Sequence, residues 1–462
     1  MSGAVLTVPD PSLVVLVGVA GSGKSTLAAR HFRPTEIVSS DHCRALVADD
    51  PGDQSATPAA FDVLHLIVSH RLRFLKLAVV DATNVQPRAR HRLIRLAEEL
   101  NLPAVAIVLD LPVALAEERA RTRQERPVDP DVVRRQYEAL RRSFDTLTRE
   151  GFRAVHVLTT PQEVDAARIV RVPLPPDRRH EHGPFDIIGD VHGCFEELRA
   201  LLGRLGYEVS ETTGEDGVPS YQVRPPAGRR AIFLGDLVDR GPAITAVLRL
   251  VMGMVEEGTA LCLPGNHDDK LMRYLQGRQV KIAHGLEDSI EQISKEPPEF
   301  AEQVRAFFEG LVHHYVLDDG RLVVAHAGMK AALQGRDSKR VRSFALYGET
   351  TGEVDEYGLP IRLDWAARYR GRAIVVYAHT PITQPVWVNR TINIDTGCVF
   401  GGALTALRYP ELELVSVPAA RTYVEPGRPF LQPVEAGPPP APGFAAEQWL
   451  GWSRAAEVNA ND

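Results

Sequence analysis

Short apolar runs alternate with longer amphipathic stretches over residues 1–170. Leu13–Val17, Leu77–Val80 and Val105–Leu109 are apolar and β-branched enough to be buried parallel strands. Between and after them, Arg88–Leu100, Val113–Gln124 and Val132–Leu147 repeat their apolar positions with helical spacing, and Val155–Leu158 reads as a closing strand. Strand–helix alternation predicts an α/β domain, a parallel sheet with helices on both faces. Residues 171–183 lose the apolar period and turn proline-rich and charged, which predicts a linker. A second series of short apolar runs spans residues 184–425: Phe185–Ile188, Ala231–Leu234, Leu261–Leu263, Leu322–Ala325, Ile374–Ala378 and Ile392–Ile394. Each ends in a polar signature, so the expectation is an α+β domain built on a β-sandwich flanked by helices. Tyr207–Arg229 reads as an exposed hairpin. Residues 426–462 form a proline- and alanine-rich tail containing Trp449 and Trp452.

Composition narrows the function classes. The 462 residues carry 53 Lys and Arg against 60 Asp and Glu, a net charge of −7. A protein held to nucleic acid by general phosphate attraction is basic, so any such contact here is local. Cys43, Cys194, Cys262 and Cys398 are scattered, which argues for a reducing, cytoplasmic setting without a disulfide framework. No apolar run reaches the length of a membrane span.

Gly18-Val19-Ala20-Gly21-Ser22-Gly23-Lys24-Ser25-Thr26 contains G-x-x-x-x-G-K-[ST] between a predicted strand and a predicted helix. Gly18, Gly21 and Gly23 let backbone N–H groups, with Ser22 and Thr26 nearby, turn towards phosphates. Lys24 reaches the β- and γ-phosphates of ATP, and the Ser25 hydroxyl is the Mg²⁺ ligand. A glycine-rich turn with a surface lysine is the bland alternative, and the strand–helix context argues against it. Ser39-Ser40-Asp41-His42-Cys43-Arg44 offers Asp41 to accept a proton from an acceptor hydroxyl and Arg44 to hold an acceptor phosphate. A helix N-cap at Ser40 or Asp41 competes with that role. Asp81 stands where a Walker-B-like group or a turn cap would. Arg119, Arg121, Arg123 and Arg126 read as a lid over the γ-phosphate, against the plainer reading of a solvated helix face. Arg88, Arg90, Arg92 and Arg95 could add a basic channel for an acceptor.

The second domain carries Asp190-Val191-His192, Gly235-Asp236-Leu237-Val238-Asp239-Arg240-Gly241, Gly265-Asn266-His267-Asp268, His326 and His379, each near the end of a predicted strand. Two divalent metals can clamp a phosphate for in-line attack by water, and one carboxylate must bridge them. Asp236 is the bridging candidate. Asp190, His192 and His379 complete one metal, and Asn266 and His326 the other, with room for a further histidine. Mixed oxygen and nitrogen donors suit two Mn²⁺ or similar ions better than Ca²⁺. His267 can protonate the leaving oxygen, oriented by Asp268, while Arg240 grips phosphoryl oxygens and Asp239 takes a supporting role. His284, His313 and His314 lie outside any motif and read as ordinary residues.

These motifs together (GxxxxGKS at 18–25, SSDHCR at 39–44, the arginine-rich stretch 119–126, GDVHGC at 189–194, GDLVDRGP at 235–242, PGNHD at 264–268, AHAG at 325–328 and AHTP at 378–381) resemble the bacterial polynucleotide kinase-phosphatases of RNA repair over about residues 8–425. The resemblance implies a kinase that phosphorylates 5′-OH polynucleotide ends, RNA or DNA. It also implies a phosphatase that removes 3′-phosphate or 2′,3′-cyclic phosphate. It implies Asp41 as general base with Lys24, Ser25 and Arg44 around it, Arg119 and Arg123 in the lid, and Asp395 near the phosphatase centre. It further implies a homodimer and a companion RNA ligase or RNA methyltransferase. Family members with full repair capability continue into a ligase whose chemistry needs a nucleophilic lysine. No lysine follows Lys339, so the expectation is that sealing falls to another protein or that the chain is a fragment. Two other readings stand beside this one. The first is a small-molecule kinase fused to a protein phosphatase or dinucleoside-polyphosphate hydrolase. The second is a nucleotide-sensing domain that regulates a phosphatase.

Overall fold

Strands that are apolar at every position must be covered on both faces, and the first sheet meets that demand. In the computed structural model, which describes residues 4–122, 127–214 and 218–431, five parallel strands lie in the order Ile37–Ser39, Ala78–Asp81, Leu13–Val17, Ala104–Leu109 and Ala154–Leu158. The period of two splits the central strand between two cores. Leu13, Val15 and Val17 pack with Leu64, Leu93 and Leu140, whereas Val14 and Leu16 pack with Leu27 and Ile107. The expected helix over Val132–Leu147 is Pro130–Ser143 followed by a 3₁₀ turn, Phe144–Arg149. Periodicity leaves out the helix Thr57–Arg73 and the parallel pair Val5–Asp10 and Arg168–Pro173, the latter because Arg171 and Pro173 give the second strand the composition of a loop.

One sequence expectation is overturned here. Arg90 lies on the inner face of the helix Pro87–Glu99 and is fully buried, so it cannot line a basic channel. Its Nε donates to Glu150 Oε2 at 2.7 Å, Nη1 to the Asn84 carbonyl at 2.9 Å and Nη2 to Ser143 Oγ at 3.0 Å. Arg88, Arg92 and Arg95 are exposed. Removing one partner of a buried ion pair strands the other charge, at a cost of roughly 3–5 kcal/mol. Arg90→Met is therefore expected to lower the unfolding free energy of this unit by about that amount in urea titration. Pairing it with Glu150→Leu should recover most of the loss; equal losses in both variants would contradict a paired buried charge.

The two compact units divide between Pro175 and Pro176, with Arg336–Val341 counted to the first. The second unit holds a five-stranded sheet ordered Ala260–Cys262, Arg230–Phe233, Phe185–Ile188, Ala403–Tyr409 and Glu413–Pro418. It also holds a six-stranded sheet ordered Trp387–Val388, Thr391–Asn393, Ile374–Tyr377, Leu322–Ala325, His314–Leu317 and Asp177–Arg178. Their facing side chains, among them Phe185, Ile187, Ile232, Val324, Val376 and Ile392, make one core. On the outer face of the first sheet, Ile188 and Phe233 meet Leu198, Leu201, Val247 and Val251 of the helices Phe195–Leu205 and Ile244–Glu256. This is the expected sandwich flanked by helices. The hairpin Glu208–Thr213/Pro219–Arg224 forms as expected, but Tyr221 and Val223 are buried in the same core, so one face is packed. Among the described residues no helix is long and apolar enough to cross a membrane, and the four cysteines are free and buried.

Candidate active sites

The turn after Leu13–Val17 is a phosphate-binding loop in conformation as well as sequence. Gly21 sits at φ +80°, and a Cβ there would lie 2.2 Å from the Ala116 carbonyl, so only glycine fits. Gly18 N donates to the Thr83 carbonyl, tying the loop to the end of the neighbouring strand. Lys24 Nζ donates to the Val19 carbonyl at 2.8 Å, and Ala20 N donates to Gln136 Oε1 at 2.8 Å. Ser22 Oγ is buried without a hydrogen-bond partner. The helix Ser40–Ala48 is capped by Ser39, whose side chain accepts from His42 N, rather than by Ser40 or Asp41. Asp41 stands in the first turn, paired with Arg44. One cavity of about 980 Å³ brings together Gly21, Ser22, Gly23, Lys24, Ser25, Thr26, Asp41, Arg44, Asp81 and Arg119. Arg123 and Arg126 lie outside the described residues. The cavity can take a nucleotide with its phosphates on the loop, and an acceptor beside Asp41.

In the second unit the strand ends deliver one site residue each. Phe185–Ile188 leads to Asp190, Arg230–Phe233 to Asp236, Leu322–Ala325 to His326, Ile374–Tyr377 to His379 and Thr391–Asn393 to Asp395. Asn266 opens the helix Asn266–Leu275 after Ala260–Cys262. Gly235 must be glycine because a Cβ there would lie 2.2 Å from Gly265 N. Backbone carbonyls fix the imidazoles. His192 Nδ1 donates to Val238 O at 2.7 Å and His326 Nδ1 to Leu234 O at 3.0 Å, so both Nε2 lone pairs turn inwards. His326 Nε2 lies 2.9 Å from His379 Nδ1, 3.2 Å from Asn266 Oδ1 and 3.5 Å from Asp236 Oδ2. The same oxygen, Asp236 Oδ2, lies 3.6 Å from His192 Nε2.

This geometry moves one ligand. His379 groups with His326 and Asn266, not with Asp190 and His192, because its ring meets that of His326. Its link to Asp190 is a backbone one, His379 N donating to Asp190 Oδ2 at 3.1 Å. The cluster fits metal ions. Asp190 Oδ1 and His379 Nε2 are buried with no hydrogen-bond partner. Burial, then the neighbouring Asp395 and Asp236, push the Asp190 carboxyl well above its ordinary range. Burial and Asp268 do the same to Asp236, while burial and Arg240 hold the His192 imidazole well below its own. Buried carboxylates crowded together with nitrogen lone pairs are what divalent cations neutralise. Asp190, His192 and Asp236 would hold one ion, and Asp236, Asn266, His326 and His379 the second.

His267 is oriented by Asp239, not by Asp268. Its Nδ1 donates to Asp239 Oδ2 at 2.5 Å, while Asp268 accepts from Leu237 N and Gly265 N and so braces the loop. Ser289 Oγ donates to the other oxygen of Asp239 at 2.5 Å. Spacing made Asp268 the nearer choice; the supporting role of Asp239 becomes specific only in three dimensions. Arg240 donates from Nη1 to His192 Nε2 at 2.8 Å and from Nη2 to His267 Nε2 at 2.9 Å, so the guanidinium sits where phosphoryl oxygens would be gripped. Burial drives Asp239 up to about 6, and burial with Arg240 drives His267 well down, leaving a neutral imidazole. A phosphate drawing Arg240 away would let Nε2 take a proton and hand it to a leaving oxygen. Loss of His267 should then hurt poor leaving groups most. His267→Ala is expected to slow an alkyl phosphate at least tenfold more than p-nitrophenyl phosphate, read as a steeper leaving-group dependence of kcat/KM.

Asp190, His192, Asp236, Arg240, Asn266, His267, His379 and Asp395 line one cavity of about 710 Å³, with His326 fully buried behind it. Burial lifts Asp395 to about 6. Further lining residues escape sequence reasoning. Arg362, held down to about 10 by burial and by Arg428, sits in a hairpin that carries no motif; His284 and residues 424–430 also reach the cavity. His192, Asp236, Asp239, Arg240 and His379 adopt left-handed backbone conformations, with φ between +45° and +79°. Such conformations cost non-glycine residues of order 1–3 kcal/mol each and cluster at functional sites.

Comparison with known proteins divides the chain in the same way. Residues 13–147 match the family model described as an AAA domain, and residues 183–416 match that of the calcineurin-like phosphoesterases. The asymmetrical bis(5′-nucleosyl)-tetraphosphatase of Anoxybacillus flavithermus is 47% identical over 251 residues, 53% of this chain and 99% of that protein. Its counterpart in Geobacillus sp. is 48% identical over 52% of this chain and 96% of that protein. That of Bacillus subtilis is 49% identical over 52% and 97%. Each match covers about half of this chain and nearly all of the relative.

Proposed function

Because the chain belongs to the calcineurin-like phosphoesterase family and carries a phosphate-binding loop domain ahead of that fold, we propose that it is an end-healing enzyme with two active sites. The first transfers the γ-phosphoryl of ATP to a 5′-OH polynucleotide end, with Mg²⁺ at Ser25. The second removes 3′-phosphate or 2′,3′-cyclic phosphate with two divalent metals, Mn²⁺ or similar. The observation that carries the reading is the pair Asp41–Arg44, which lines the same cavity as Lys24 and Ser25. A base and an anion holder in the same cavity as a phosphate-binding loop are what transfer to a phosphate-bearing acceptor needs, and a nucleotide sensor needs neither. Asp41 accepts the hydroxyl proton, Lys24 and Arg119 hold the transferring phosphoryl, and Arg44 holds the acceptor. In the second site Arg240 orients the phosphoryl group and His267 protonates the leaving oxygen.

A second reading has its own support. Identity of 47–49% to asymmetrical dinucleoside tetraphosphatases favours dinucleoside tetraphosphate as the substrate of the phosphoesterase domain, more directly than it favours a polynucleotide end. Those relatives match about half of this chain, so they leave a separate acceptor for the kinase-like domain.

One experiment separates the readings. The protein is incubated with ATP, Mg²⁺ and Mn²⁺, and either an RNA bearing 5′-OH and 2′,3′-cyclic phosphate ends or diadenosine tetraphosphate. End healing predicts gain of a 5′-phosphate and loss of the cyclic phosphate. RNA unchanged at both ends while the tetraphosphate is cleaved would sink it in favour of the second reading.

A further inference from the structure

We propose that Phe400 and Phe430 form a binding subsite for the nucleobase of the nucleotide whose phosphate is hydrolysed at the metal-binding cluster. The inference rests on the nucleotide reading above, under either substrate. The cavity is two-sided. Its floor is polar, with Asp236, His267 and Arg240, whereas Val399, Phe400 and Phe430 give one wall an apolar part, on a segment that also brings Glu425 and Arg428 to the lining. The Phe400 and Phe430 rings stand 6.2 Å apart at 71°, and both are half-buried; Phe400 packs on the core beneath it, and Phe430 belongs to none of the core clusters. Large rings left partly open at a site offer their faces to a ligand.

The rings are fixed in relation to the chemistry. The Arg240 guanidinium lies 5.1 Å over the Phe400 ring, and the same guanidinium donates to His192 and His267. The wall therefore begins one side chain away from the place of the reacting phosphate, the separation between a nucleotide's phosphate and its base. Phe430 lies against the loop bearing Asp395; a Cβ on Gly397 would come within 2.5 Å of its ring. The segment carrying Phe430 is anchored at both ends. Val424 N donates to Val399 O, Leu431 N donates to Pro381 O, and Arg428 pairs with Asp355 at 3.2 Å. Pro426 and Pro429 stiffen it further. With Arg240 over the Phe400 ring and Phe430 edge-on beside it, the Phe430 face next to a cationic phosphate grip matches a flat, aromatic group one ribose away from a phosphate. Stacking of this kind tolerates every base, which suits a site that must accept any nucleotide.

The test isolates the base. p-Nitrophenyl phosphate hydrolysis in Mn²⁺ is inhibited competitively by adenosine 3′- or 5′-monophosphate, each compared with the matching ribose phosphate. The ratio of the two inhibition constants measures what the base contributes. The parent protein is expected to give a ratio of about ten for at least one pair. Phe430→Ala and Phe430→Leu should bring it near one, and Phe430→Trp should restore it. Leucine keeps the apolar packing on Gly397 without a stacking face, so its loss of the ratio separates stacking from misfolding. A ratio unchanged in both Ala and Leu variants overturns the subsite and leaves the nucleotide reading intact. A ratio near one in the parent for both pairs overturns the nucleotide reading and the subsite with it.

Discussion

Asp236→Asn is expected to reduce phosphoester hydrolysis by on the order of a thousandfold or more while raising the melting temperature of the metal-free protein. Both effects have one cause. One oxygen of Asp236 faces both sets of donors, 3.6 Å from His192 Nε2 and 3.5 Å from His326 Nε2. Burial and the Asp268 charge push its carboxyl well above the ordinary range. A carboxyl whose folded pKa is raised costs stability once the unfolded chain would ionise, and the cost grows as pH rises from the unfolded value towards the folded one. Asparagine removes that charge and retains an oxygen to accept from His267 N, the bond that Asp236 Oδ1 now receives at 3.0 Å. Without metal, the variant should therefore melt higher than the parent at pH 8, and the difference should shrink towards pH 4. Added Mn²⁺ should reverse the order, stabilising the parent strongly and the variant weakly. A variant that melts lower without metal, or gains as much from Mn²⁺ as the parent, would remove Asp236 from the bridging position. Its phosphorylation of a 5′-OH oligonucleotide should be retained.

Lys24→Ala is expected to produce the complementary loss. ATP-dependent labelling of a 5′-OH oligonucleotide should fall roughly a hundred- to thousandfold, the usual effect of removing one charge-stabilising donor from a phosphoryl transfer site. Hydrolysis at the second site should be unchanged, since Lys24 lines only the first cavity. The stem of Lys24 is buried at the start of the helix Lys24–His31, and its ammonium donates back to Val19 O. Alanine keeps the helix, so binding of ATP should weaken less than turnover. Loss of both activities in a folded Lys24→Ala protein would contradict two independent sites.

The strands and the motifs were legible because each rests on a local rule. Runs such as Leu13–Val17 announce burial on both sides, and G-x-x-x-x-G-K-S or G-D-x-x-D-R-G announces a turn that only those residues can make around a phosphate or a metal. What was hidden depended on contacts between distant segments. Arg90 has the same local sequence character as Arg88 and Arg92, and only its Glu150 partner, sixty positions on, turns it inwards. Asp239 and Asp268 are both near His267 in the motif set, and the choice between them is made by where Ser289 and the Gly265 amide lie. Grouping His379 with His326 required knowing that Ile374–Tyr377 runs beside Leu322–Ala325. Arg362 and Phe430 come from a hairpin and a proline-rich stretch whose composition signals only exposure.

The five left-handed residues of the phosphoesterase site set the direction in which this protein can be improved. Glycine or asparagine at 192, 236, 239, 240 or 379 would relax the backbone, and at 236 would also remove a repelled charge. A laboratory selection on heat resistance of the metal-free protein would therefore climb away from turnover, collecting variants that are sturdier and inert. Consensus-style stabilisation of this protein should hold those five positions fixed and seek its gains elsewhere.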